Sequence, residues 1–407
     1  MFAKARRSNS SLITLGGVAV PKNLEALQWL LVGSTGSGKS TVQDEMLSSV
    51  MLRPQSRCIV VDPNGTSLSR YYKDGDTILN PFDVRSEGWS LMNEIRSNYD
   101  YRMLARSVVP NGHGSDAVWN GYAQNFLSQV MMAMMKRGET NTDRLLYWIT
   151  IASTDELKEL LAGTSAFGLF ESGAERAFAS TRFVATNFLA PHEYLRPGDF
   201  SLREWLVNGS GNLYLTWNER MSDSLKPLIS CWVDIFCNAA LSLSPGQEAQ
   251  IWLVLDELGA LGQISSLESA LTRGRKHNLR VLAALQSISQ LKTNYGVEGA
   301  NTMLSCFRNL CVLGVSNSDP ETADVLSRCL GERDIERLQF SSNTGPGGIS
   351  RGVSSQRSSE RAAIPSEITG LPNLEGYLVL SGDEPIRRIR ITHQNLPEIN
   401  VPIQEAP

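Results

Sequence analysis

Eight consecutive residues, Gly33-Ser34-Thr35-Gly36-Ser37-Gly38-Lys39-Ser40, fit the pattern G-x-x-x-x-G-K-[ST]. Glycines at these places let a backbone wrap a phosphate without Cβ clashes, and successive N–H groups then point into the loop. The helix that must follow turns its positive dipole end toward the same anion. Lys39 is suited to the outer phosphates of ATP and the Ser40 hydroxyl to Mg²⁺, with Thr41 completing the nucleotide-binding run.

A second chemical feature is Ile251-Trp252-Leu253-Val254-Leu255-Asp256-Glu257. An apolar strand delivers two carboxylates at its C-terminal end, where open α/β sheets bind ligands. Asp256 suits the Mg²⁺ shell and Glu257 suits polarising an attacking water. The alternative is an acidic pair that caps the next helix. Asp256-Glu257-Leu258-Gly259 also fits the D-x-x-G of GTPases, but N-K-x-D, which reads guanine, is absent from the chain. Downstream, Thr272-Arg273-Gly274-Arg275-Lys276 is either a solvated basic helix end or the carrier of an arginine finger, Arg275, set against a neighbouring subunit's γ-phosphate. Gln286 follows another apolar run. It is either a turn residue or an amide that senses the γ-phosphate.

These groups need a scaffold. Short apolar runs at 26–32, 58–61, 213–217, 251–255, 280–285 and 310–314 read as strands covered on both faces. Helical periodicity between several of them, as in Val42, Met46, Leu47 and Val50, predicts an α/β fold with a mainly parallel central sheet. Residues 84–197 differ. Their apolar residues, among them Trp119, Tyr122, Phe126, Val130 and Phe183, follow helical spacing only. This stretch is expected to form an inserted all-α domain, entered near Pro81 and left near Pro197-Gly198, within a nucleotide-binding domain of residues 1–83 and 198–407. Trp119 and Tyr122 are expected in the helical core, with stacking on bases as the alternative. Residues 341–363 are rich in Ser, Gly and Arg and are expected to form a flexible loop whose Arg351, Arg357 and Arg361 could touch phosphates. Residues 376–380 and 386–391 predict a terminal hairpin.

The 407 residues are 42% apolar and 20% charged, enough to bury a sizeable core. The net charge of −4 excludes a histone-like, globally basic coat but leaves room for a local basic stripe. No apolar run has the length of a membrane span. Six cysteines in apolar stretches, without C-x-x-C spacing, read as buried free thiols, and the four histidines lack zinc-ligand spacing.

Taken together, Gly33 to Ser40, Val60-Val61-Asp62-Pro63-Asn64-Gly65, Leu79-Asn80-Pro81-Phe82-Asp83, Leu253 to Leu258, Thr272 to Lys276, Leu285-Gln286-Ser287 and Leu371-Pro372-Asn373-Leu374 resemble the conjugative coupling proteins of bacterial type IV secretion, the TrwB/TraD group. The resemblance implies a RecA-like P-loop domain with an inserted all-α domain, hexameric rings, and DNA-stimulated ATP hydrolysis. It further implies DNA binding without sequence preference and a link between a relaxase–DNA complex and the secretion channel. Lys39 and Ser40 would take phosphate and Mg²⁺, Asp256 and Glu257 Mg²⁺ and water, Arg275 the finger role and Gln286 the sensor role. Family members usually start with two membrane helices, which place them at the cytoplasmic face of the inner membrane. This chain is expected to be a soluble part, with Arg6-Arg7 a juxtamembrane remnant. Asn317 stands where relatives carry a second arginine, and Arg308 is the expected substitute. Two other readings remain: a nucleotide-gated docking platform that does not pump DNA, and a related secretion-assembly ATPase.

Overall fold

The computed structural model describes residues 12–405 apart from 113, 247–248 and 346–347; Arg6 and Arg7 lie outside the described residues. In chain order the strands are β1 (Thr14–Leu15), β2 (Val18–Ala19), β3 (Trp29–Val32), β4 (Ser56–Pro63), β5 (Thr77–Leu79), β6 (Leu213–Trp217) and β7 (Gln250–Leu255). They continue with β8 (Leu279–Leu285), β9 (Asn309–Leu313), β10 (Glu332–Gly345), β11 (Gly348–Arg361), β12 (Glu375–Val379) and β13 (Arg387–Arg390).

Nine of these strands form one sheet in the order β13-β12-β9-β3-β8-β7-β4-β6-β5. The pairs from β9 to β5 are parallel, and only β12 and β13, the expected terminal hairpin, add to the edge antiparallel. Strand β8 separates β3, which feeds the phosphate loop, from β7, which carries the carboxylates. The loop and the carboxylates therefore stand two strands apart, with Gln286 at the end of the strand between them.

Side chains on a strand alternate between faces, and the core follows that rule. Leu31, Val60, Val254 and Leu282 belong to one apolar cluster with Val42 and Met46 of the helix Lys39–Val50. Leu30, Ile59, Leu253 and Val281 belong to the other. The second cluster runs on without a break into Leu104, Phe126, Met131, Leu145 and Leu189 of the inserted helices. The segment from Leu91 to Tyr194 contains only helices, and they share one core with the sheet face beneath them.

Several expectations change. Glu332–Gly345 and Gly348–Arg361 pair as a two-stranded antiparallel ribbon, with Glu332 opposite Arg361 and Gly345 opposite Gly348, where a flexible loop was expected over 341–363. Each strand has 14 residues, a reach of about 45 Å at about 3.3 Å per residue. Its polar sequence gives no alternation to read, and its described side chains are exposed or half-buried. Of its arginines, Arg361 is paired with Asp324 at 2.7 Å, Arg357 is exposed, and the Arg351 side chain lies outside the described set.

Trp119 (36% exposed) and Tyr122 (45%) stand on the surface, their rings 5.9 Å apart, and Phe183 is 70% exposed. The helix Asp116–Lys136 buries its Phe126, Val130 and Met134 face instead. The first strand is shorter than expected, because Lys22–Glu25 is helical and Gln28 has φ 54°. Four cysteines are buried, but Cys306 is half-buried and Cys329 exposed. No helix among the described residues is long and apolar enough to cross a membrane.

Candidate functional site

The phosphate loop is tied to both strands that flank β3. Gly33 N–H donates to Leu285 O at 3.1 Å, and Ser34 N–H and Oγ donate to Gly314 O at 2.8 and 3.0 Å. Gly38, at φ 115°, turns the chain into the helix; a Cβ there would lie 2.8 Å from Leu374 Cδ2. Leu374 N–H in turn donates to Ser37 O at 2.9 Å. The segment Leu371–Leu374 thus braces the loop from the far end of the chain.

Lys39 Nζ donates to Gly33 O at 2.6 Å and to Ser34 O at 3.2 Å. Burial holds its pKa below the ordinary lysine value, while the charges of Glu257 and Asp256 work against that shift. Asp256 is pushed up to about 6, chiefly by burial and then by repulsion from Glu257. Burial also raises Glu257, against the pull of the Gln286 amide and Lys39. Glu257 Oε1 is buried without a hydrogen-bond partner. Thr35 Oγ1 donates to Gln286 Oε1 at 3.2 Å, which joins the loop to the end of β8.

These groups line one cavity of about 650 Å³ at the C-terminal edge of the sheet, with Thr35, Lys39, Ser40, Thr41, Asp256, Glu257 and Gln286 in its wall. Ser40 and Asp256 could hold Mg²⁺. Among the described residues no group of three or more His, Cys, Asp or Glu side chains is gathered to hold a metal. The set on offer, one hydroxyl and one carboxylate, is the sparse hard-oxygen set that Mg²⁺ takes when phosphates and water supply the remaining ligands.

Arg275 is not in this wall. It sits exposed in the turn Gly274–His277 that precedes β8, at the sheet edge opposite the cavity. Arg308 precedes β9 at that same opposite end and, like Arg275, does not line the cavity of its own chain. Asn317 itself is exposed beyond the other end of β9.

The structure adds residues with no role in the sequence reading. Asp62, fully buried at the end of β4, accepts from Leu68 N–H at 2.8 Å while its Oδ1 has no partner. Burial, with Asp256 adding to it, pushes its pKa up to about 7. The next residues explain Asp62-Pro63-Asn64-Gly65. Asn64 (φ 62°) and Gly65 (φ 69°) turn the chain through two left-handed positions, and a Cβ on Gly65 would lie 2.4 Å from Pro402 O. Asn64 and Glu219 share a hydrogen bond at 3.0 Å, and both line the cavity. His393 also lines it, and as a lone histidine it carried no signal in the sequence.

Comparison with known proteins agrees with this geometry. The family model described as "Type IV secretion-system coupling protein DNA-binding domain" matches residues 12–392. The coupling protein TraD of Escherichia coli K12 is 24% identical over 400 residues, covering 95% of this chain and 55% of its own length. The chain thus spans about half of that relative. The solved bacterial conjugative coupling protein TrwBdeltaN70 is 40% identical with a TM-score of 0.92, over 98% of this chain and 93% of the other. A structure of plasmid coupling protein TrwB with ADP and Mg²⁺ is also 40% identical, with a TM-score of 0.90 over 98% and 94%.

Proposed function

The chain belongs to the type IV secretion-system coupling protein family, and on that premise we propose that it is an ATP-hydrolysing, DNA-translocating subunit of a conjugative apparatus. The observation that carries the reading is the convergence of Lys39, Asp256, Glu257 and Gln286 on one cavity beside an anchored phosphate loop. A relative solved with ADP and Mg²⁺ supports the choice of ligand.

In this reading the loop N–H groups and Lys39 bind the β and γ phosphates. Lys39 exchanges its bonds to Gly33 O and Ser34 O for phosphate oxygens. Ser40 and Asp256 hold Mg²⁺, which when bound draws charge from the transferred phosphoryl group. Glu257 Oε1, free of any partner, positions the attacking water and takes its proton. Its raised pKa makes it a stronger base than an exposed carboxylate. Gln286 touches both Glu257 and Thr35, so loss of the γ-phosphate moves the end of β8.

Arg275, on the opposite edge, reaches a nucleotide only across a subunit boundary. That favours a ring, a hexamer by family resemblance, in which hydrolysis is shared between neighbours. DNA, bound without sequence preference, is the proposed cargo. A relaxase and the secretion channel are the proposed partners, and the cytoplasmic face of the inner membrane is the proposed station.

The test is steady-state hydrolysis by Lys39→Ala and Glu257→Gln, with nucleotide binding measured in parallel. Glu257→Gln should bind nucleotide and lose about 10²–10⁴-fold in rate, the usual worth of a general base. Full turnover by either variant would overturn the site. Binding without hydrolysis by the unaltered chain, with DNA present, would favour a nucleotide-gated docking platform.

A further inference from the structure

A cavity of about 700 Å³ lies away from the nucleotide site. It lies where the inserted helices Asp100–Val108 and Asp116–Lys136 meet the helices Ser222–Leu241 and Leu267–Arg273. Arg102, Arg106 and Arg273 line it. Arg102 and Arg106 are four residues apart and share a helix face. All three are exposed, and none forms an ion pair with a described carboxylate, whereas Arg53 and Arg203 elsewhere in the chain are paired with Glu25 and Asp100. The acidic neighbours in sequence do not answer them. Asp100 is held by Arg203 at 2.8 Å, and Glu268 does not line the cleft.

One carboxylate does face the cavity, and its capacity is spent. Asp234 Oδ1 accepts from Ser266 N–H at 2.6 Å and Ser266 Oγ at 2.7 Å. Its Oδ2 accepts from Ser107 Oγ at 2.6 Å and Asn238 Nδ2 at 3.0 Å. This buried junction pins the floor of the cleft across three helices, so the cleft is built rather than incidental. At its mouth Tyr99 is 78% exposed. Inside, Ser265 Oγ has no hydrogen-bond partner. Three unpaired guanidinium groups, an unused hydroxyl and an open aromatic ring are what a sugar–phosphate backbone with a splayed base needs. Arginine forks take phosphate oxygens in pairs, and a tyrosine face stacks on any base.

We propose that this cleft is a second anion site that grips the phosphates of a single nucleic-acid strand, with Tyr99 stacking on a base. The identity of the strand rests on the DNA-handling reading above. Its position at the seam between the inserted helices and the nucleotide-binding layer gives the helical layer a direct hold on the cargo.

The test is fluorescence anisotropy of a labelled oligo-dT with the full chain, over a range of salt concentrations and with nucleotide binding as the check on folding. The triple variant Arg102→Ala, Arg106→Ala, Arg273→Ala should flatten the slope of log K against log salt by about 2, at about 0.7 per phosphate contact. Tyr99→Ala should weaken binding about fivefold or more without changing the slope. Arg176→Ala, an exposed arginine elsewhere on the helical layer, should change neither. Unchanged affinity and slope in the triple variant would overturn the cleft and leave DNA binding standing. An equal loss with Arg176→Ala would also overturn it, as diffuse surface charge. Absence of oligo-dT binding by the unaltered chain at low salt would overturn both readings.

Discussion

His192 should make the chain sensitive to mild acid. It is 1% exposed, and its ring lies 6.1 Å from that of Trp89, which in turn packs edge-on against Trp232 at 5.8 Å. Neither ring nitrogen has a well-formed hydrogen bond, and the nearby Leu189 carbonyl only partly favours the proton. Burial therefore lowers its pKa from 6.5 to about 4. The unfolded chain protonates this histidine below about pH 6.5, while the folded chain holds it neutral until about pH 4. Stability present above pH 6.5 is thus lost as pH falls through that window. At about 1.4 kcal/mol per pKa unit the loss comes to about 3 kcal/mol. Asp62 and Asp256, with raised folded pKa values, shift stability the other way over part of the same range. The comparison must therefore be with a variant. His192→Leu keeps the volume roughly constant and removes the titration. Urea midpoints followed by tryptophan fluorescence should show the variant gaining about 3 kcal/mol on the unaltered chain between pH 7 and pH 4. Parallel curves for the two proteins would refute the reasoning.

Three further outcomes are expected. Gly38→Ala forces a Cβ to 2.8 Å from Leu374 Cδ2 at φ 115°, so it should cost about 1–3 kcal/mol of stability and weaken nucleotide binding, measured by thermal shift with and without ADP. Arg275→Ala should bind nucleotide normally and lose about 10³-fold or more in hydrolysis, as a finger does; in mixed assemblies an intact Arg275 on the neighbour should rescue a site, and rescue from the same chain would contradict the placement. Asp62→Asn should keep the cap on Leu68 N–H through its side-chain oxygen, so circular dichroism should be unchanged, while the pH profile of hydrolysis shifts because a charge beside Asp256 is gone.

Much of the sheet was legible because its strands are buried on both faces and read as apolar runs. Leu213–Trp217 and Leu279–Leu285 are where the pattern predicts strands, within a residue. Thr77–Leu79, three residues long at the edge, is too short to carry a pattern. The long ribbon of Glu332–Gly345 and Gly348–Arg361 was illegible for a different reason: its hydrogen bonds join two polar strands, and no buried face imprints alternation on its described side chains. At the site, Lys39, Asp256, Glu257 and Gln286 were legible because each follows an apolar run in a local motif, and β8 brings them together. Glu219 and His393 reach the same cavity through contacts of long sequence separation, which no local spacing encodes, and Asp62 is buried beside the wall residues Pro63 and Asn64. The exposure of Trp119 and Tyr122 turned on which stripe of a long, mostly apolar helix meets the core, and periodicity alone allowed either.

The central claim is that ATP hydrolysis at the Lys39–Glu257 cavity is completed by a neighbouring subunit and coupled to DNA. The most direct measurement is the hydrolysis rate per chain against protein concentration, with and without DNA. A steep rise with concentration, enhanced by DNA and absent in Glu257→Gln, is the predicted result. A flat rate that ignores DNA would contradict the account.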